Sequence, residues 1–305
     1  MANGLVVTVI PNWNLKEELA ECLDSLAVST YRQHQVVVVD NGSTDGSQAF
    51  VKERYPLVHL ISLDENLGYA AALNEGIQHA QRLGAGYVFA LNNDTVVQPD
   101  VLSRLVSVLS SDKTIGILAP KVLIFGSQPP LMLSLGERRY RWLPVPLRIG
   151  SKWKDRPGLT GLMEFDYVTG CAMLIPDWVF SKVGLFDPTY FMYYEDADFC
   201  RRVREKGYRV IRDGSVVVYH KHALSSRKNK ACSTRTRARS RVRFYRRYRH
   251  GPHPWLTYAV LLLAGMGRTV CFVVRGQTSL VGPYWQGLWE GWRYGHSTGD
   301  HATTF

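Results

Sequence analysis

Apolar and polar positions follow two rhythms along the first 120 residues. Short apolar runs at 5–10, 36–39, 58–63, 87–91 and 115–118 are rich in Val, Ile and Leu. Runs of this kind are expected of strands covered on both faces. Between the first two, Leu15, Leu19, Leu23 and Leu26 recur every three or four residues, the spacing of one helical face. Asn14 is placed to cap that helix, and Ser43 or Thr44 to cap a second that runs to about residue 54. A turn at Asn66-Leu67-Gly68 leads into a predicted helix over 69–83, and Pro99 stands where its fixed φ opens another. Strands alternating with helices predict an α/β domain with a mostly parallel central sheet and flanking helices.

The pattern weakens over 125–160, where Pro129, Pro130, Pro144, Pro146 and Pro157 interrupt it. A long loop or hairpin insertion over the site is expected there. Order returns with a strand-like run over 165–175, a helix over 197–206, and short strands at 208–211 and 216–219. The remainder changes character. An arginine-rich stretch over 225–249 is interleaved with Phe244, Tyr245 and Tyr248. A strongly apolar segment follows at 255–274, then Trp285, Trp289, Trp292 and Tyr294. The apolar segment is just long enough to span a bilayer. Arg268 in its second half favours a helix lying in the membrane interface.

Charge sharpens this division. The chain carries a net +11, which equals the charge of the eleven basic side chains from Arg227 to Arg249. A local basic surface suits an anionic membrane, a diphosphate-bearing substrate or nucleic acid. Cys22, Cys171, Cys200, Cys232 and Cys271 are odd in number and widely spaced, which argues against a disulfide framework or a zinc knuckle and for a reducing compartment. The start of the chain has no basic region ahead of its first apolar run, so no signal peptide is expected.

Candidate chemistry sits at predicted strand ends. Ligands of open α/β sheets bind beyond the carboxyl ends of the strands. Asp40-Asn41-Gly42-Ser43 and Asn92-Asn93-Asp94 occupy two such ends. The first suits either a nucleobase or ribose edge or a plain capped turn. The second suits either a hard divalent ion or a polar turn. Tyr193-Tyr194-Glu195-Asp196-Ala197-Asp198 packs three carboxylates into four positions, so mutual repulsion should raise at least one pKa. Such crowding marks a base, a ligand or a substrate anchor, although an acidic helix N-terminus reads the same way. His220 and His222 alternate on a strand end, as metal ligands or as surface histidines.

Taken together, Asp40 to Gly46, Asn66 to Gly76, Leu91 to Asp94, Thr169 to Ile175 and Val183 to Arg202 resemble the family-two inverting glycosyltransferases of the GT-A fold, and most closely the rhamnosyltransferase-like branch. The resemblance covers about residues 5–222. It implies a Rossmann-like GT-A domain over 1–222, with a nucleotide-sugar-binding half at 1–120 and an acceptor and catalytic half at 121–222. A basic, amphipathic, membrane-associating region over 223–305 would follow. Carried over by position, Pro11, Asn12, Asp40, Asn41, Ser43, Asn66, Gly68, Asn74, Asn92 and Asn93 would line the nucleotide sugar. Asp94 and His220, less readily His222, would hold Mg²⁺ or Mn²⁺. Asp196 would be the general base with Glu195 beside it, and Gly170, Tyr194 and Arg201 would face the acceptor. Asn92 stands where the family commonly has an acidic residue, which weakens the expected ion binding. The implied reaction moves a sugar, rhamnose from dTDP-rhamnose in that branch or a UDP-linked hexose, to a lipid-linked or polysaccharide acceptor. The setting would be cell-surface glycan synthesis on the inner face of the cytoplasmic membrane. In this family reading the basic segment contacts the acceptor's lipid-linked pyrophosphate. A rival reading gives Arg235 to Arg249 with their aromatic neighbours to single-stranded nucleic acid.

Overall fold

The structure is a computed structural model and describes residues 4–138, 147–221, 229–248 and 254–293. The first two strands are β1 (Val6–Asn12) and β2 (His34–Asn41), followed by β3 (His59–Leu63), β4 (Tyr87–Leu91) and β5 (Thr95–Val97). Helices α1 (Lys16–Ala27), α2 (Ser47–Arg54), α3 (Tyr69–Arg82) and α4 (Val101–Ser111) alternate with them. β6 (Ile115–Ile124) leads into the insertion, with β7 (Met132–Ser134), β8 (Gly136–Arg138), β9 (Leu147–Ile149) and β10 (Leu162–Glu164). β11 (Ala172–Pro176), α5 (Asp177–Val183), α6 (Glu195–Glu205) and β12 (Arg209–His220) complete the core. Three helices close the described chain: α7 (Lys230–Arg247), α8 (Pro254–Val274) and α9 (Val281–Arg293).

The main sheet runs β10-β12-β6-β11-β4-β1-β2-β3, with β5 on β12 and β7 on β6. β4, β1, β2 and β3 are parallel neighbours, as are β12 and β6, while β11 runs antiparallel between β4 and β6. Strand geometry turns successive side chains to opposite faces. Val7, Val9, Val37 and Val39 accordingly pack with Leu73, Ile77, Phe180 and Phe199, and Val6, Ile10 and Val38 with Leu19, Leu23, Leu102 and Leu105. Both faces are covered by helices, which explains the unbroken apolar runs.

Several local expectations shift. Asn14 does not cap α1. It has φ +52, and its Oδ1 accepts from the Thr44 N–H at 2.7 Å, tying the β1 exit to the β2 exit. Neither Ser43 nor Thr44 caps α2. The Asp45 carboxylate accepts from the Ser47 N–H at 3.1 Å instead. Pro99 precedes α4, whose first residue is Val101 after Asp100. The strand-like run at 165–175 becomes a strand only from Ala172, because Tyr167 and Gly170 are turned toward β8 and α6. The two short strands expected after α6 are one strand, β12, with a register break between Asp213 and Val217. Asp213 stabilises that break by accepting from the Ser215 N–H at 2.9 Å.

The basic segment is a packed helix. Along α7, Ala238, Val242, Phe244 and Tyr245 are buried, and α9 lies against it through Gly287 and Gly291. A Cβ on Gly287 would stand 2.1 Å from the Arg235 carbonyl oxygen, and one on Gly291 2.5 Å from that of Arg239. Among the described residues α8 alone is long and apolar enough to cross a membrane. It buries Thr257, Leu261 and Phe272 but exposes Leu262, Leu263, Met266, Val270 and Val273.

Candidate active site

A cavity of about 590 Å³ opens beyond the carboxyl ends of β1 and β4. It is walled by the turn at 66–69, the β8 region of the insertion, the segment 191–197 and one face of α7.

The first wall is built from short polar side chains that stitch strand ends together. Pro11 and Asn12 close β1. Asn12 donates to the Asp40 carboxylate at 3.1 Å and accepts from the Asn93 amide at 2.7 Å, so the ends of β1, β2 and β4 are cross-linked. Asn41 donates to Asn66 Oδ1 at 2.9 Å and accepts from the Leu67 N–H at 2.9 Å. Gly68 follows with φ +89, and a Cβ there would stand 2.5 Å from the Phe191 carbonyl oxygen, so only glycine allows the close approach. Pro11, Asn12, Asn41, Asn66, Gly68, Asn92 and Asn93 all line the cavity.

Asp40, Ser43 and Asn74 do not. Asp40 is fully buried, and it also accepts from the Ser43 N–H at 3.0 Å and from Gln48 Nε2 at 2.9 Å. Ser43 Oγ accepts from the Asn14 N–H at 3.1 Å. Asn74 donates to the Phe186 carbonyl at 2.8 Å and accepts from the Phe186 N–H at 3.0 Å, pinning α3 to the loop ahead of α6. These three shape the wall from behind it.

The second wall holds Asp94 and His220. Pairing of β5 with β12 sets His220 opposite Thr95, and His220 Nε2 lies 3.0 Å from Asp94 Oδ1 with the Asn92 amide 3.3 Å from the same nitrogen. No group of three or more His, Cys, Asp or Glu suited to a metal exists among the described residues. One carboxylate and one imidazole facing a cavity do not make a closed cage. They fit the kind of site in which a hard divalent ion takes few protein ligands and completes its shell with water and substrate phosphates. His222 lies outside the described residues.

The third wall carries the acidic cluster, and its three carboxylates meet different surroundings. Asp196 Oδ2 accepts from the Gly170 N–H at 2.8 Å and from the Tyr167 hydroxyl at 3.3 Å, and Oδ1 from the Ala197 N–H at 2.8 Å. Gly170 is required there, since a Cβ would stand 2.7 Å from that of Asp196. Glu195 is buried, and its Oε2 has no hydrogen-bond partner among the described residues. Burial, and then the charges of Asp196 and Asp198, push its carboxyl well above the usual range. Asp198 is fully buried and accepts from Arg202 Nε at 2.7 Å and the Tyr248 hydroxyl at 2.8 Å, with Arg247 at 3.3 Å. Asp198 therefore joins α6 to the end of α7 and does not line the cavity.

The approach to α6 is tightly bent. Phe191, Tyr193 and Tyr194 have φ of +28, +69 and +72. Such conformations persist where neighbours over-determine them. α7 supplies those neighbours: Ser240 donates to the Met192 carbonyl at 3.0 Å, and Tyr194 packs against Phe244 with ring centroids 5.4 Å apart. Arg201 lines the cavity and lies over the Tyr248 ring while pairing with Glu205. Sequence reasoning missed Tyr167, Arg237 and Arg241 as cavity residues. Nothing local marks Tyr167. The two arginines were legible as an i, i+4 pair once the basic stretch is read as a helical face.

Residues 7–174, more than half of the chain, match the model of Glycosyl transferase family 2. The chain is 28% identical over 251 residues to an N-acetylglucosaminyl-diphospho-decaprenol L-rhamnosyltransferase of Mycobacterium tuberculosis, covering 74% of this chain and 78% of the relative. An uncharacterized glycosyltransferase of Rickettsia typhi is 27% identical over 234 residues, 76% of this chain and 66% of that one. Among solved structures, a mannosyltransferase from Pyrobaculum calidifontis in complex with GDP-Man and Mn²⁺ superposes with a TM-score of 0.60 at 19% identity, covering 94% of this chain and 87% of the other. GalNAc-T7 with UDP, GalNAc and Mn²⁺ gives 0.59 at 19% identity over 71% and 43%. At these identities the structural likeness is one of fold, and both neighbours are GT-A glycosyltransferases. The chain belongs to glycosyl transferase family 2 and is a glycosyltransferase of the GT-A fold.

Proposed function

We propose that the protein inverts the anomeric centre as it passes a sugar from a nucleotide diphosphate to a hydroxyl of a lipid-diphosphate-linked acceptor. The observation that carries this reading is that Asp94 and Asp196, far apart in sequence, face one cavity. Displacement needs separate groups at its two ends, one for the incoming hydroxyl and one for the departing phosphates. Asp196 is the base. Its carboxylate is aimed by Gly170, Tyr167 and the first turn of α6, and it takes the proton as the acceptor oxygen attacks. Glu195 is buried at its side and favours the protonated form.

Pro11, Asn12, Asn41, Asn66, Asn92 and Asn93 hold the nucleotide sugar, with Asp40, Ser43 and Asn74 fixing their backbone. Asp94 and His220 would hold a divalent cation, Mg²⁺ or Mn²⁺, which when bound neutralises charge on the departing diphosphate. Gly170, Tyr194 and Arg201 border the acceptor. The 28% identity to a rhamnosyltransferase supports dTDP-rhamnose as donor. That relative's name also specifies a diphospho-decaprenol acceptor, which supports a lipid-linked acceptor here. In this reading residues 1–222 form the transferase domain, and 223–305 dock it on the inner face of the membrane for surface-glycan synthesis. The nucleic-acid reading loses support because Phe244, Tyr245 and Tyr248, which would stack on bases, are buried.

Calorimetric titration of dTDP and UDP, with and without Mn²⁺, should show tighter nucleotide binding with the cation. Asp196→Asn should keep that affinity while turnover falls by about 10² to 10⁴, the usual contribution of general-base catalysis. Full turnover in Asp196→Asn would reject the assignment of the base.

A further inference from the structure

One face of α7 borders the cavity and carries two cations that have no anionic partner among the described residues. Ser233, Arg237 and Arg241 recur at four-residue spacing, lead on to Phe244 and Tyr245, and all line the cavity. The other arginines along this helix are engaged. Arg235 pairs with Glu290, Arg243 donates to the Thr189 carbonyl, Arg246 to the Trp292 carbonyl, and Arg247 pairs with Asp187 and Asp198. Arg239 is buried in the helix packing. Arg237 is exposed, with its guanidinium 4.2 Å over the Tyr193 ring, and Arg241 is half-buried. Among the described residues no carboxylate pairs with either of them. A guanidinium fork matches phosphate oxygens, and stacking on a ring holds it in place without using its donors.

The position of the pair tells which phosphate it suits. Arg237 stacks on Tyr193, three residues from Asp196, and Tyr194 packs against Phe244 and Tyr245 of the same helix. The pair therefore belongs to the Asp196 wall, whereas Asp94 and His220 form another. The same helix is the scaffold for α9, and α8 beyond it exposes Leu262, Leu263, Met266 and Val270. The helix that bears this charged subsite also packs, through Phe244 and Tyr245, against Leu261 of α8, and a basic subsite beside an apolar helix matches an amphiphile with an anionic head and a hydrocarbon tail. We propose that Arg237 and Arg241 form the subsite for the diphosphate of a prenyl-diphosphate-linked acceptor, an inference that rests on the transferase reading above.

The test is direct binding of farnesyl diphosphate to the full chain, followed by calorimetry, with farnesol, dTDP and UDP as the other ligands. Wild type should bind farnesyl diphosphate and bind farnesol far more weakly. Arg237→Gln/Arg241→Gln should lose at least about tenfold in farnesyl diphosphate affinity, the scale of a lost charge-assisted hydrogen bond. Its affinities for dTDP and UDP should be unchanged. Equal farnesyl diphosphate binding by wild type and variant overturns the subsite, as does no binding by wild type. Loss of nucleotide affinity in the variant also overturns it, since the phosphates would then be the donor's. If the double variant does not fold, the exposed Arg237→Gln alone carries the same comparison. Because binding is read without turnover, the two ideas separate. A chain that binds farnesyl diphosphate through the pair but transfers no sugar rejects the transferase reading and leaves the subsite standing.

Discussion

Glu195, Asp196 and Asp198 lie within one turn of helix and yet have three different environments. Asp196 receives backbone and tyrosine donors, Asp198 receives two arginines and a tyrosine, and Glu195 Oε2 receives nothing from the described residues. Crowding of charge was legible in the sequence, and it implied a raised pKa. Which carboxyl takes the shift was not, because burial dominates it and burial is set by residues far away in the chain. The sign of the consequence follows from proton linkage. Glu195 in the folded chain holds its proton above the ordinary value of 4.5, so its contribution to stability is full below that value and is lost as pH rises through the folded-state pKa. Glu195→Gln keeps the shape of the protonated acid and cannot ionise. The stability of wild type relative to Glu195→Gln, measured by urea unfolding at a series of pH values, should therefore fall as pH rises from about 4.5. A flat or rising difference would show that Glu195 is ionised in the fold.

At the level of elements, the strands and helices of the first half could be read from periodicity, because each is buried on a face that its own sequence displays. Their caps could not. Asn14 and Ser43 are typical cap residues, but in the fold they bond across the β1 and β2 exits, where the competing partners lie close. The basic stretch gives the largest difference between sequence and element. Composition suggested a solvated or membrane-facing surface. The helix instead buries Ala238, Val242, Phe244 and Tyr245, and its seam with α9 depends on two glycines four residues apart. Gly287→Ala would drive a methyl into the Arg235 carbonyl, and overpacking of this kind costs about 1 to 3 kcal/mol. The expected result is faster proteolysis within α8 and α9 with dTDP affinity unchanged, read by limited proteolysis alongside calorimetry.

For the whole molecule, α7 closes the cavity, and α8, packed against it through Leu261, carries an exposed apolar surface. α8 turns Leu261 and Phe272 inward and leaves Leu262, Leu263, Met266, Val270 and Val273 in solvent. A helix face that exposes several large apolar side chains marks an interaction site. A helix that lies in the interface binds through buried apolar area together with attraction to anionic lipid. Co-sedimentation with vesicles containing anionic lipid should therefore retain the wild-type chain. Leu262→Ser/Leu263→Ser should reduce the bound fraction severalfold while dTDP binding stays the same. Undiminished binding by that variant would remove α8 from the membrane contact.

The sequence by itself determined the layered α/β sheet, the polar strand ends and the division between a nearly neutral core and a basic, apolar extension. Those properties are local: they follow from the period of apolar side chains and from the residue types that end strands. The tertiary structure alone decided that Asp40 and Asn74 support the cavity wall from behind, that Asp198 fastens the extension and that Arg237 and Arg241 reach the cavity. These depend on which distant groups approach one another: the spacing sets Arg237 and Arg241 on one helical face, but not what that face meets.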